Sequence, residues 1–305
     1  MKNPHRNSWA RTSLPAMVSV LGLIAAGLPA AGAAERYWPP VADPPTETVR
    51  AGKWVWADLV TLDVARAAEF YASLFGWTYE TYGPEDDDQQ SYTLIFSNGS
   101  PIGGMVFSER HARSSRPQAR WIGILSVADV DVAAKTAAAN RGKVLVGPMD
   151  TAPRGRTALL ADPEGAAFAV LRSATGDPAD YLANPGEWLW FELWADDVAA
   201  MGSFYRALAP YEISTGSAAA GGGIQLTING LPRAGVLTKL AGVPSAWVPY
   251  VRVASVAETV ARARAAGGRI VIEPTAARGT TVALLVDPTG APVAIAEWPD
   301  SGEKQ

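Results

Sequence analysis

The chain is written twice, and this duplication limits its fold more than any other feature. Asp63 to Phe75 (DVARAAEFYASLF) returns as Asp197 to Leu208 (DVAAMGSFYRAL), with the pairs Phe70-Tyr71 and Phe204-Tyr205 lying 134 positions apart. A second echo runs from Gly155 to Val170 and from Gly279 to Ala294. It carries the turns Asp162-Pro163-Glu164-Gly165 and Asp287-Pro288-Thr289-Gly290 at an offset of 125. Similarity of this length implies two domains of one plan, the second with shorter loops.

The order of elements within each copy follows from hydrophobic period and turn chemistry. Trp54 to Thr61 alternates as a strand. Asp63 then caps a helix whose apolar residues Ala67, Phe70, Tyr71 and Leu74 recur at i, i+3, i+4 and i+7, and Gly76 ends it. Strands are expected at Thr78 to Tyr82, Tyr92 to Ser97 and Ile102 to Phe107, separated by Gly83-Pro84 and Asn98-Gly99. After an Arg-rich link (Arg110, Arg113, Arg116) the order repeats, with a strand at Trp121 to Val127 and a helix at Val130 to Asn140. Strands follow at Lys143 to Val146, Thr157 to Leu160 and Ala167 to Leu171. Each copy is thus βαβββ twice, an α+β plan with helices on one sheet face and the other face free to curve. The expected layout is a signal peptide (1–34), an extended surface leader (35–52), domain 1 (53–173), domain 2 (186–298) after Asn184-Pro185-Gly186, and a tail (299–305).

The N-terminal assignment rests on Lys2, Arg6 and Arg11 ahead of the apolar run LPAMVSVLGLIAAGLP, then small residues ending in Ala31-Gly32-Ala33. The run is short for a membrane span, which needs about 20 apolar residues. Cleavage after Ala33 or Ala34 is expected, giving a secreted or periplasmic protein with no membrane span. An uncleaved anchor is the competing reading. The whole chain carries 26 basic and 30 acidic groups, and the mature chain would keep 23 against the same 30, a net charge of −7. That balance offers no footprint for nucleic acid. Cysteine is absent and histidine occurs only at His5 and His111, which removes thiol chemistry and leaves the usual serine triad without a base. Glu85-Asp86-Asp87-Asp88 reads as a solvated turn, and Gly221-Gly222-Gly223 as a flexible loop ahead of a strand.

With both signatures present in both copies, the chain resembles the vicinal oxygen chelate superfamily, which includes glyoxalase I, extradiol dioxygenases and bleomycin-resistance proteins. The resemblance covers nearly all of residues 53–298. It implies two tandem domains, each of two βαβββ modules forming a cupped half-barrel sheet with helices outside. In metal-using members, side chains on the first and last strands hold a divalent ion that acts as a Lewis acid. Here those positions fall on Trp56 and Trp190, on Ile122 and Val248, and on Ala169 and Ala294. The usual metal site is therefore not expected. A non-standard divalent ion held by oxygen ligands remains the alternative.

Strict alternation would put Trp54, Trp56 and Asp58 on the cup face of the first strand, and Trp188, Trp190 and Glu192 on its counterpart. Tyr250, Arg252 and Trp298 are expected on the same face of domain 2. Indole rings beside a carboxylate suit a planar or partly cationic ligand, and Asp58 and Glu192 are the candidate general acids or bases. The competing roles are core packing for the tryptophans and structural hydrogen bonding for the acids. Two functions are compatible with this pattern. One is a binding protein for a small, aromatic or amphipathic organic molecule. The other is a lyase, isomerase, hydrolase or dioxygenase-like enzyme using Glu192 or Asp58. Association into a homodimer is compatible with either.

Overall fold

A computed structural model describes residues 37–84, 90–108, 119–214, 223–277 and 279–299. The signal segment, His111, the Arg-rich link, Glu85 to Asp88 and Gly221-Gly222 lie outside the described residues.

Domain 1 is built from β1 (Trp54–Thr61), α1 (Val64–Phe75), β2 (Thr78–Tyr82), β3 (Tyr92–Ser97), β4 (Ser100–Phe107), β5 (Arg120–Ser126), α2 (Val130–Ala139), β6 (Lys143–Thr151), β7 (Gly155–Ala161) and β8 (Ala167–Ser173). Domain 2 repeats it with β9 (Trp188–Ala195), α3 (Val198–Leu208), β10 (Glu212–Ser214), β11 (Ile224–Ile228), β12 (Leu231–Thr238), β13 (Ala246–Val253), α4 (Val256–Ala265), β14 (Arg269–Ala277), β15 (Thr280–Val286) and β16 (Pro292–Glu297). The strands form two eight-stranded mixed sheets, ordered β2-β3-β4-β1-β5-β8-β7-β6 and β10-β11-β12-β9-β13-β16-β15-β14. In each sheet the two modules join at antiparallel central strands, β1 with β5 and β9 with β13. The expected βαβββ order holds throughout. The clearest difference in extent is β6, which runs to Thr151 because it pairs with β7 across two register shifts.

Local chemistry sets the helix ends. Asp63, Asp129, Asp197 and Ser255 each accept a bond from a backbone N–H three residues on, satisfying a donor that the first helical turn leaves open. Gly76 closes α1 at φ 71°, a left-handed cap that suits a residue without Cβ.

The helices lie outside each cup, and there the two domains meet. α1 packs against α4, α2 against α3, and β5 against β13, so the helix-covered faces share one apolar layer. Two mirrored hydrogen-bond chains cross it. Trp121 Nε1 donates to Tyr71 Oη (3.0 Å), and Tyr71 Oη donates to Asp287 Oδ2 (2.9 Å). Trp247 Nε1 donates to Tyr205 Oη (2.7 Å), and Tyr205 Oη donates to Asp162 Oδ2 (3.2 Å). The duplicated Phe-Tyr helices and Asp-Pro turns are therefore partners of each other across the domain boundary. The other oxygen of each carboxylate gathers the N–H groups of its own turn: Glu164 and Ala166 bond to Asp162, and Thr289, Gly290 and Ala291 bond to Asp287.

Tyr205→Phe is expected to cost about 1–3 kcal/mol, because it leaves Trp247 Nε1 and Asp162 buried with one partner fewer. A urea unfolding series would show it as a lower midpoint with unchanged slope. Burial raises Asp162 to about 6 from 3.8. A raised folded value gives stability that is complete below about pH 4 and is lost as pH rises through 6, worth about 3 kcal/mol. Asp162→Asn should flatten that part of the stability profile, and an unchanged slope between pH 4 and 6 would refute the assignment.

Candidate functional site

The two cups open on opposite sides of the shared layer, and each is lined by the first strand of its domain. Alternation along that strand is not strict. Trp54 stands opposite Leu125 and Trp56 opposite Ile124, which leaves Val55 as an extra residue. The same shift puts Trp188 opposite Val251 and Trp190 opposite Tyr250, with Leu189 extra. Such a bulge reverses the facing of what precedes it. Trp54 and Trp188 therefore do not face the cups as alternation predicts. They enter the shared core, where Trp54 packs on Trp247 (4.1 Å between centroids) and Phe191, and Trp188 packs edge-on against Trp77 and Trp121. Beyond the bulge, Trp56 and Asp58 face cup 1, while Trp190, Glu192 and Trp194 face cup 2.

Cup 1 is filled by its own chain. Asp58 Oδ1 accepts from Tyr92 Oη (2.6 Å) and Trp56 Nε1 (2.9 Å), and Asp58 Oδ2 pairs with Arg154 Nη1 (3.0 Å). The Arg154 guanidinium also donates to Tyr92 Oη (2.6 Å) and to the Pro39 carbonyl (2.9 Å). It lies 5.0–5.2 Å from the ring centroids of Trp38, Trp56 and Tyr92. Burial holds the Tyr92 phenol well above its ordinary pKa, so it remains protonated and donates to Asp58. Leader residues Trp38 and Val41 complete the plug. The leader is thus not confined to the surface, because its apolar side chains cover a buried ion pair that would otherwise meet water. Sequence reasoning missed Trp38, Tyr92 and Arg154, which come from three distant segments that only the closed sheet brings together.

Cup 2 keeps the same frame with different contents. Glu192 is fully buried and its Oε2 accepts from Tyr250 Oη (2.7 Å). Val248 stands opposite Glu192 as Ile122 does opposite Asp58, and Ala294 stands beside Tyr250. Leu189, Trp190, Ile272 and Val282 pack around this group and are only partly buried, whereas Trp56 in the first cup is 1 % exposed. The Nε1 atoms of Trp190 and Trp194 are both buried without a hydrogen-bond partner. A buried donor left in this way costs about 1–3 kcal/mol, a cost that a ligand acceptor would remove. Trp194 continues the Trp190, Glu192 alternation and could have been found by extending that pattern two residues. Arg252 and Trp298, expected beside Glu192, form a clamp at the far end of β13. The guanidinium donates to the Trp298 carbonyl (2.6 and 3.0 Å) and the Ala183 carbonyl (2.8 Å), and the Trp298 ring is 41 % exposed.

The register also tests the chain for a chelated ion. Trp56, Ile124 and Ala169 lie side by side across three strands, as do Trp190, Tyr250 and Ala294. None of these is a customary metal ligand, and the nearest carboxylate of cup 1 is already committed to Arg154. Among the described residues no group of three or more His, Cys, Asp or Glu side chains could hold an ion. The donor set does not fit a chelated metal.

A surface recess of about 420 Å³ beside the β6–β7 turn, lined by Asp150, Pro153, Arg156 and Arg172, lies outside both cups. Its Arg156 is already held by Asp131 and Asp150. The cups remain the candidate sites. Asp58→Ala should strand the Arg154 guanidinium in the first of them at a cost of about 3–5 kcal/mol. Thermal unfolding would report it, and a fall below about 1 kcal/mol would show that the pair is not closed to water.

Comparison with known proteins agrees with this architecture. Residues 53–170 match the family model described as Glyoxalase/Bleomycin resistance protein/Dioxygenase superfamily. The Anthracycline biosynthesis protein DauV of Streptomyces sp. (strain C5) is 33% identical over 261 residues, covering 81% of this chain and 93% of the relative. Anthracycline biosynthesis protein DnrV of Streptomyces peucetius is 32% identical over 266 residues, covering 81% and 93%. The crystal structure of the Mn(II)-bound glyoxalase from Novosphingobium aromaticivorans superposes with a TM-score of 0.57 at 18% identity, covering 82% of this chain and 83% of that one, a likeness of fold alone. Two duplicated βαβββ pairs, closed into cupped sheets and matched along most of their length by such relatives, place this chain in the glyoxalase/bleomycin resistance protein/dioxygenase superfamily.

Proposed function

We propose that the protein binds a small, flat organic molecule in cup 2 without a bound metal, and that it acts after export as a secreted or periplasmic protein. One observation carries the binding reading. The first cup satisfies its polar groups with its own side chains, whereas the second leaves the buried indole N–H groups of Trp190 and Trp194 beside Glu192 with no acceptor. Aromatic walls with a few converging polar groups are the ordinary makeup of a small-molecule site. Two relatives bear anthracycline biosynthesis in their names, and an anthracycline is a fused-ring compound, which is compatible with a flat guest. The metal-free reading is supported by the side chains at the expected ligand positions, Trp190, Val248 and Ala294 in cup 2, which offer no customary ligand.

An enzymatic reading, a lyase or isomerase in particular, keeps Glu192 as its base. Asp58 is closed off by Arg154 and the leader, which leaves Glu192 as the candidate base. In that case Glu192→Gln abolishes turnover while leaving the fold intact by circular dichroism.

Titration with 8-anilinonaphthalene-1-sulfonate should show one site per chain, quench tryptophan emission, and weaken at least tenfold in Trp190→Ala. An unchanged response in that variant would remove cup 2 from consideration. Elemental analysis of protein purified without chelators and offered manganese, iron, nickel and zinc should find each well below one ion per chain. One tightly held ion per chain would overturn the metal-free reading.

A further inference from the structure

The two cups share a frame and differ in the segment that runs beside their glycine. In cup 1, Gly104 pairs with Asp58 on one side and with Leu94 on the other. In cup 2, Gly235 pairs with Glu192 and with Gln225. Two residues before Leu94 stands Tyr92, and two residues before Gln225 stands Gly223. The second domain has therefore kept the tryptophan, the acid and the bare glycine floor, but has lost the tyrosine.

The missing phenol accounts for the unsatisfied indole. In cup 1 the Tyr92 hydroxyl sits on Gly104, so closely that a Cβ there would overlap it. It accepts from Trp56 Nε1 (3.1 Å) and donates to Asp58 Oδ1 (2.6 Å). In cup 2 the matching atoms converge on Gly235, where a Cβ would stand 3.2 Å from Trp190 Nε1 and 2.8 Å from Glu192 Oε1. One is a buried donor without a partner and the other is a carboxylate oxygen. A hydroxyl serves both at once, because it accepts from the indole and donates to the carboxylate. A carbonyl or ether oxygen accepts only, and has no proton to offer the carboxylate oxygen.

We propose that cup 2 binds a phenolic ligand, whose hydroxyl lies over Gly235 between Trp190 Nε1 and Glu192 Oε1 and takes the place that Tyr92 fills in cup 1. This rests on the reading of cup 2 as a binding site and adds the chemical class of its guest. The first domain carries a covalent copy of that guest.

The test is isothermal titration of the full chain with 2-naphthol and with 2-methoxynaphthalene, which share a ring system and differ in the hydroxyl proton. We expect 2-naphthol to bind at one site per chain and at least tenfold more tightly than its methyl ether. Trp190→Phe, which keeps an aromatic wall without the N–H donor, should bring the two affinities within about threefold. Gly235→Ala, which places a methyl at the meeting point, should lower 2-naphthol affinity at least tenfold, and Trp56→Phe should leave it unchanged. Circular dichroism confirms that each variant is folded, and Gly235→Ala carries the test if Trp190→Phe does not fold. Equal affinity of the two probes in the unaltered protein would overturn the phenol assignment while leaving a binding cup in place. Preference for 2-naphthol that persists in both cup 2 variants would also overturn it. Binding of neither probe would overturn both the assignment and the aromatic-ligand reading beneath it.

Discussion

Two buried tyrosine hydroxyls, Tyr71 and Tyr205, decide how this molecule is assembled. Each receives an indole N–H from its own domain and donates a hydrogen bond to a carboxylate of the other, so Oδ2 of Asp287 and of Asp162 gains this partner only when both domains are present. A buried carboxylate without partners is costly, and these two also organise the tight turns before the last strands. The same motifs that mark the duplication in the sequence are therefore the contacts that join its halves. Around them, one continuous apolar layer draws on both sheets and the four helices of the described residues, and includes Trp54 and Trp188.

Joining the domains through their helix faces leaves the concave faces pointing outward, free to diverge. They have diverged in chemistry while keeping their frame. Each first strand carries a bulge at the same place (Val55, Leu189), a tryptophan just after it (Trp56, Trp190), an acid two residues on (Asp58, Glu192) and a bare glycine across the strand pair (Gly104, Gly235). In the first cup a tyrosine, an arginine and the leader close over this frame. In the second, Tyr92 gives way to Gly223, Asp58 to the longer Glu192, and Ile124 to Tyr250. The first cup is consistent with a stabilising role, because its polar groups are consumed internally. In the second, the indole N–H groups of Trp190 and Trp194 are buried without an acceptor.

The strand positions that the family resemblance assigns to a metal hold Trp56 and Trp190, Ile122 and Val248, and Ala169 and Ala294, none of them a customary metal ligand. Membership in a superfamily of this breadth therefore says less about this chain than the contents of its two cups.

The sequence alone determined the duplication, the βαβββ order, the helix caps and the α+β class, because each follows from spacing along the chain: an apolar period of 3.6 or 2, an Asp at a cap, a Gly at a stop. It also placed Trp56, Asp58, Trp190, Glu192 and Tyr250 on cup-facing positions, since alternation holds beyond the bulge. Only the tertiary structure decided the rest. A single extra residue at Val55 and at Leu189 turned Trp54 and Trp188 into the shared core, and a strand such as Trp54–Thr61, buried along its whole length, has no polar alternation to reveal the shift. Arg252 had the right parity but the wrong partners, because backbone carbonyls at Ala183 and Trp298 captured it. The plug of cup 1 joins Trp38, Tyr92 and Arg154, residues dozens of positions apart that no local rule connects. Whether a cup is filled or open depends on volume and hydrogen-bond partners gathered from distant strands, and those exist only once the sheet has closed.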